Sequence, residues 1–134
     1  MAQKYPDEEL KKRLTPEQFE VLRKGEGEYP YTGKFLYNKE AGEYVCPVCG
    51  NVLFDSKAKF DSGSGWPSFY DVADKGSVKL VDDNSHGMHR IEVRCAVCDS
   101  HLGHVFNDAP DQPTGARFCI NSAALDFKKK EAKP

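Results

Sequence analysis

Nothing in this 134-residue sequence approaches an unbroken apolar run of about 18 residues, the length a membrane-spanning helix requires, so no membrane association is expected. Charge of one sign is also missing. The 19 Lys and Arg nearly balance the 21 Asp and Glu, leaving a formal net charge of -2. That balance offers no global attraction to nucleic acid or to an anionic surface, and no nucleic-acid partner is expected. The segment Met1–Arg13 lacks the apolar stretch of a secretory signal. The expectation is therefore a protein of a reducing, cytoplasmic compartment. There is no internal repeat beyond the twofold use of a Cys-x-x-Cys turn. The length suits one domain spanning 1–134, with a core over about 14–127 and a lysine-rich, disordered tail over 128–134.

What is present in quantity is cysteine with a pattern. Four of the five cysteines form Cys46-Pro-Val-Cys49 and Cys95-Ala-Val-Cys98. In a chain with no secretory signal, two such pairs read as a metal site rather than as disulfides. Each turn offers two thiolates on one side of a loop, and two facing loops complete a sulfur tetrahedron suited to zinc. Gly50 permits the tight turn after the first pair. Iron, or a pair of redox dithiols, would use the same motif. His101 could also replace a cysteine, although the symmetry of the two pairs argues against it. Four protein ligands leave no open coordination position. The zinc, one ion per chain, is thus expected to be structural, and a zinc hydrolase or deaminase is disfavoured. A zinc-ribbon module binding protein or nucleic acid stays open on these pairs alone.

The elements are short. Asp7–Leu14 predicts a helix, and Thr15-Pro16-Glu17-Gln18 is a capping box opening a second one that Gly25 ends. Leu14 and Phe19 fit a hydrophobic staple around that start. Seven short strands are predicted at Lys34–Tyr37, Glu43–Val45, Val52–Phe54, Val78–Val81, Met88–Arg94, Val105–Phe106 and Arg117–Ile120. Short strands broken by Gly, Pro, Asn and Asp turns predict a mainly β sandwich or barrel-like domain with short N-terminal helices.

The remaining cysteine, Cys119, lies in Arg117-Phe118-Cys119-Ile120-Asn121. A thiol is nucleophilic as its anion, which a neighbouring cation favours. Arg117 shares a strand face with Cys119 by the period of two, as does Asn121. From this segment alone a buried, inert cysteine is as good a reading. His101 and His104, three apart beside a metal turn, are candidates for proton transfer at neutral pH. His86 and His89 read as surface residues. The stretch Ser62-Gly63-Ser64-Gly65-Trp66-Pro67-Ser68-Phe69 can bring backbone close to a ligand, with Trp66 as core or as an apolar wall.

Taken together, Cys46–Gly50, Phe60–Phe69, Cys95–Cys98 with His101–Phe106, and Arg117–Ser122 resemble, in order, the zinc-containing methionine-R-sulfoxide reductases of the B type. The resemblance runs from about Leu14 to Phe127. It implies two antiparallel sheets in a sandwich or barrel-like arrangement, with a zinc remote from the active site. It further implies that Cys119 is the catalytic cysteine, with His101 and His104 as active-site histidines. Asp108, Arg117 and Asn121 would be supporting polar groups. Trp66 and Phe106 would bind substrate, Trp66 as the wall for its methyl group. The implied substrate is methionine-R-sulfoxide in proteins, and the setting is repair after oxidative stress by a monomer. Many members of that family carry a second, resolving cysteine where this chain has Ser64. No efficient internal disulfide is therefore expected. Thioredoxin, a glutaredoxin-type system or another thiol would reduce Cys119 directly.

Overall fold

The computed structural model describes residues 6–25, 27, 29–84, 87 and 89–129. The chain opens with helices α1 (Asp7–Arg13) and α2 (Pro16–Lys24). The capping box forms as its residues predict. Thr15 Oγ1 accepts from Gln18 N at 3.1 Å, and Gln18 Oε1 accepts from Thr15 N at 3.0 Å, a reciprocal cap that contributes about 1 kcal/mol. Gly25 closes α2 in the left-handed region, with φ 76°. Leu10, Leu14, Phe19, Val21 and Leu22 are buried, so both helices dock on the β domain through their apolar stripes.

Among the described residues nine strands follow: β1 (Gly42–Val45), β2 (Val52–Asp55), β3 (Lys59–Phe60), β4 (Ser68–Phe69), β5 (Val78–Asp83), β6 (Arg90–Cys95), β7 (His101–Phe106), β8 (Arg117–Ile120) and β9 (Asp126–Lys129). They form two antiparallel sheets, one ordered β2-β1-β9 and one ordered β3-β4-β8-β7-β6-β5. The sheets meet through aromatic rings. Phe54 of the small sheet stacks on Phe69 of the large one at 4.4 Å between centroids, and Tyr44 meets the same ring edge-on at 5.2 Å. Burying each such ring fully contributes about 1.5–3 kcal/mol to the fold.

This packing decides which face of the large sheet is free for chemistry. Ile120 and Val93 are fully buried, and Phe118 packs against the same core. Strand side chains alternate, so Arg117 and Cys119 of β8 take the opposite face, as do Arg90, Glu92 and Arg94 of β6. The cross-strand register Glu92↔His104↔Cys119↔Ser68 then lines four polar residues across that face.

Some expectations fail for identifiable reasons. Lys34–Tyr37 is a turn, not a strand: Leu36 N bonds Gly33 O and Asn38 N bonds Phe35 O, both at 3.2 Å. Only Phe35 there is drawn inward, onto Tyr44 and Phe127. Val105–Phe106 is the end of a longer strand that begins at His101, so both histidines stand on a strand rather than on a metal loop. Within the tail expected to be disordered, Lys128 and Lys129 belong to β9 and pair with Glu43 and Gly42. Phe127 holds them there, its ring 4.9 Å from Tyr44. Residues 130–134, Met88 and His86 lie outside the described residues.

Candidate active site and metal centre

The two Cys-x-x-Cys turns come together at one end of the domain. Cys46, Cys49, Cys95 and Cys98 place their sulfurs within 4.8 Å of one another. Cys46 to Cys98 and Cys49 to Cys95 are each 3.5 Å. The turns are built alike. Gly50 N bonds Cys46 O at 2.8 Å and Asp99 N bonds Cys95 O at 2.9 Å. Each closing residue is left-handed, Gly50 at φ 79° and Asp99 at φ 66°. The glycine adopts that conformation freely, whereas Asp99 is held in it by Lys79 Nζ at 2.7 Å and by Arg94 at 3.4 Å.

Cys46, Cys49 and Cys95 do not ionise independently. Hydrogen bonds to Cys95 and Cys98, then burial, push Cys46 upward, and burial with the neighbouring sulfurs pushes Cys49 up to about 12. Hydrogen bonds from Cys46 and Cys98 hold Cys95 down. Thiols packed this closely oppose one another's ionisation, and a divalent cation is what would let them bind together as thiolates. This donor set fits a soft metal bound by four sulfurs with no open position.

Cys119 stands apart from that cluster, half-exposed on β8. It lines a cleft of about 430 Å³ with Ser64, Trp66, His101, His104 and Arg117. Register sets His104 directly across from it on β7. The two histidine rings lie 5.6 Å apart and tilted by 68°. Arg117 makes a two-pronged pair with Asp108, at 2.9 Å for each prong, and lies 4.5 Å over the Phe106 ring. The pairing holds Asp108 below the usual carboxylate range and raises Arg117, which the charge of Cys119 raises further. Asn121 follows β8 rather than belonging to it, and is anchored through its Nδ2 and its backbone N–H, each 3.0 Å from Leu102 O. Trp66 and Phe106 both face the cleft. Every candidate of the thiol site is therefore at one cleft or, for Asp108, paired to a residue that lines it. His89 is exposed and 3.4 Å from Asp82.

Four residues at this site carried no sequence signal. Asp83 Oδ2 lies 2.7 Å from His104 Nε2, and Glu92 Oε2 lies 2.7 Å from His101 Nδ1. Tyr31 is left-handed at φ 67°, bonds Gly65 O through its N–H at 2.7 Å, and reaches Gly63 O with its hydroxyl at 2.8 Å. It ties down the turn that carries Ser64 and Trp66. Gly103 has no side chain because a Cβ there would collide with the backbone carbonyl of Cys119. Gly103→Ala is expected to push β8 away from β7, lowering kcat by on the order of tenfold or more by misplacing Cys119. Steady-state kinetics beside a thermal melt check this; unchanged values for both would show that the strands relax freely.

A family model described as "SelR domain" matches residues 14–129. The chain is similar to the "Peptide methionine sulfoxide reductase MsrB" of Methanosarcina barkeri, 56% identical over 134 residues, covering 98% of this chain and 94% of that one. The protein of the same name from Leptospira interrogans is 54% identical over 123 residues, covering 92% and 93% of the two chains. That of Escherichia coli is 54% identical over 127 residues, covering 95% and 92%.

Proposed function

Because this chain belongs to the SelR family, the B-type methionine-R-sulfoxide reductases, we propose that its thiol-dependent reduction of methionine-R-sulfoxide runs through Cys119. One observation carries the assignment. Cys119 is the cysteine outside the four-sulfur cluster, and it shares a cleft with two histidines, an arginine and the single tryptophan.

Arg117 sets positive charge beside the sulfur, which favours the thiolate. The thiolate attacks the sulfoxide sulfur, whose methyl group rests against Trp66 with Phe106 at the far wall. His104, with His101 nearby, protonates the oxygen as its bond to the substrate sulfur breaks. Methionine departs with its sulfur two electrons richer. Cys119 has lost those two electrons and holds the oxygen as a sulfenic acid. Two equivalents of an external thiol return it to the thiol, with loss of water and formation of the reductant's disulfide.

The reductant is external because the residue nearest in kind to a resolving group is Ser64, whose Oγ is 3.8 Å from Cys119 Sγ. A hydroxyl cannot form a disulfide. Treated with methionine-R-sulfoxide and no reductant, the protein should release about one methionine per chain and keep its four cluster thiols. Ser64→Cys should instead close an internal disulfide between the introduced thiol and Cys119 within the turnover time, seen as a mass loss of two hydrogens relative to the fully reduced variant. If the native chain itself forms an internal disulfide, the direct-reduction reading is wrong.

Zinc is the metal we assign to Cys46, Cys49, Cys95 and Cys98, in a structural role: it would neutralise the buried thiolates and clamp the two turns. A reducing cytoplasmic setting, protein-bound methionine sulfoxide, thioredoxin or a similar thiol, and a monomeric repair enzyme complete the reading. Among the described residues no helix is long and apolar enough to cross a membrane. The deciding experiment is turnover of separated R and S sulfoxide epimers with different reductants. Turnover of the S epimer alone would overturn the assignment.

A further inference from the structure

The reaction as derived leaves Glu92 without a task, although its side chain is only 13% exposed. A glutamate so withdrawn from water needs partners that repay its desolvation. It stands mid-β6 in the cross-strand row that carries His104 and Cys119, on the chemical face of the sheet. Its Oε2 is 2.7 Å from Nδ1 of His101 and 3.0 Å from Nε of Arg94. Arg94 is in turn held by Asp99 at 3.4 Å, and Asp99 by Lys79 at 2.7 Å. The carboxylate is thus fixed from the side away from the cleft and aimed at a ring that lines it.

Proton bookkeeping then settles the ring. Burial alone would raise Glu92, but the Arg94 guanidinium 3.0 Å away and the contact with His101 outweigh it and hold the group down, toward the carboxylate. An ionised carboxylate can only accept. At 2.7 Å the proton of that contact therefore sits on His101 Nδ1. Burial holds His101 itself below the ordinary histidine range, against the opposing pull of Glu92, and so favours the neutral ring. A neutral ring protonated at Nδ1 carries its lone pair at Nε2.

Resting on the reading of Cys119 as nucleophile, we propose that Glu92 is a positioning residue of the reduction. It fixes the Nδ1–H tautomer and the plane of His101, so that Nε2 can accept the Cys119 thiol proton. The resulting imidazolium is stabilised by the carboxylate until its proton replaces the one that His104, whose ring lies 5.6 Å away, gives to the departing sulfoxide oxygen. The thiol proton thereby balances the one on the sulfenic acid, and none is drawn from elsewhere.

The test uses the full metal-loaded chain labelled with ¹⁵N histidine. In the native protein at pH 7, the His101 ring should show Nδ1 protonated and Nε2 bare. Glu92→Leu should lose that signature and drop kcat on the order of a hundredfold with KM little changed, at full metal content. Glu92→Gln, whose amide oxygen still accepts from Nδ1 but carries no charge to stabilise the imidazolium, should keep the tautomer and recover part of kcat. A native ring protonated at Nε2 overturns the proposal, and so does a Glu92→Leu protein with native kcat. Should Glu92→Leu fail to fold, the native spectrum and the Gln variant decide the matter. Cys119→Ser, assayed alongside, separates the two levels: full activity there removes the nucleophile, and with it the acceptor role, while the spectrum still reports the Glu92–His101 geometry.

Discussion

Cys119→Ser should leave no measurable reduction of methionine-R-sulfoxide, a loss on the order of 10³-fold or more. A serine hydroxyl carries almost no anion at neutral pH and cannot take up and release oxygen as sulfur does. The replacement is nearly isosteric at a half-exposed position, so stability should change by no more than about 1 kcal/mol. Metal content should not change at all, since Cys119 contributes nothing to the four-sulfur cluster. Activity and metal analysis on the same preparation therefore give opposite answers for this variant. Retained turnover, or a lost metal, would show that the five sulfurs are divided differently.

Cys95→Ser should do the reverse in kind and more in degree. Cys95 is fully buried, ends β6, and lies 3.5 Å from Cys49 within the cluster. Metal binding at such sites contributes about 10–16 kcal/mol that is coupled to folding. A domain of this kind is stable by only about 5–15 kcal/mol in total. Losing the metal thus removes about as much as that whole margin, so the variant should lack a cooperative thermal transition near room temperature. A chelator should unfold the native chain more slowly to the same end. Circular dichroism melts with metal analysis check both, and a Cys95→Ser protein that melts like the native one would mean that the cluster is not a structural centre. The contrast between the two variants is a contrast of location. One sulfur is set beside a cleft for access, the other is sealed beneath the two turns.

The residues that were readable in advance share a property: their neighbours in sequence declare them. The capping box at Thr15–Gln18, the two Cys-x-x-Cys turns and the strand Arg117–Ile120 are specified by residues within a few positions, and each formed as its local chemistry requires. Lys34–Tyr37 has strand-like composition but no partner, and turn bonds took it instead. Strands β3 and β4 are two residues each and β9 is four residues, half of them lysine, so none carries a period that could be seen before its partner strand is known. At the site, Glu92 falls inside the predicted strand Met88–Arg94 and Asp83 just past Val78–Val81, and local sequence assigns neither a role. They face away from the core, but register across β5, β6 and β7 puts imidazoles where water would have been. Such pairings depend on which strands are neighbours, which single-strand periodicity does not encode.

The lysines of β9 have a use beyond closing the small sheet. β9 is the outer strand of that sheet, and an outer strand offers unpaired amides to any passing chain. Here that border carries Lys128 and Lys129, both exposed, with Lys129 3.2 Å from Glu40. A second copy approaching edge to edge would set ammonium against ammonium along the seam. What reads in the sequence as a frayed terminus works in the fold as a charged selvedge, and trimming it would leave Phe127 and Tyr44 as the bare margin of the sheet.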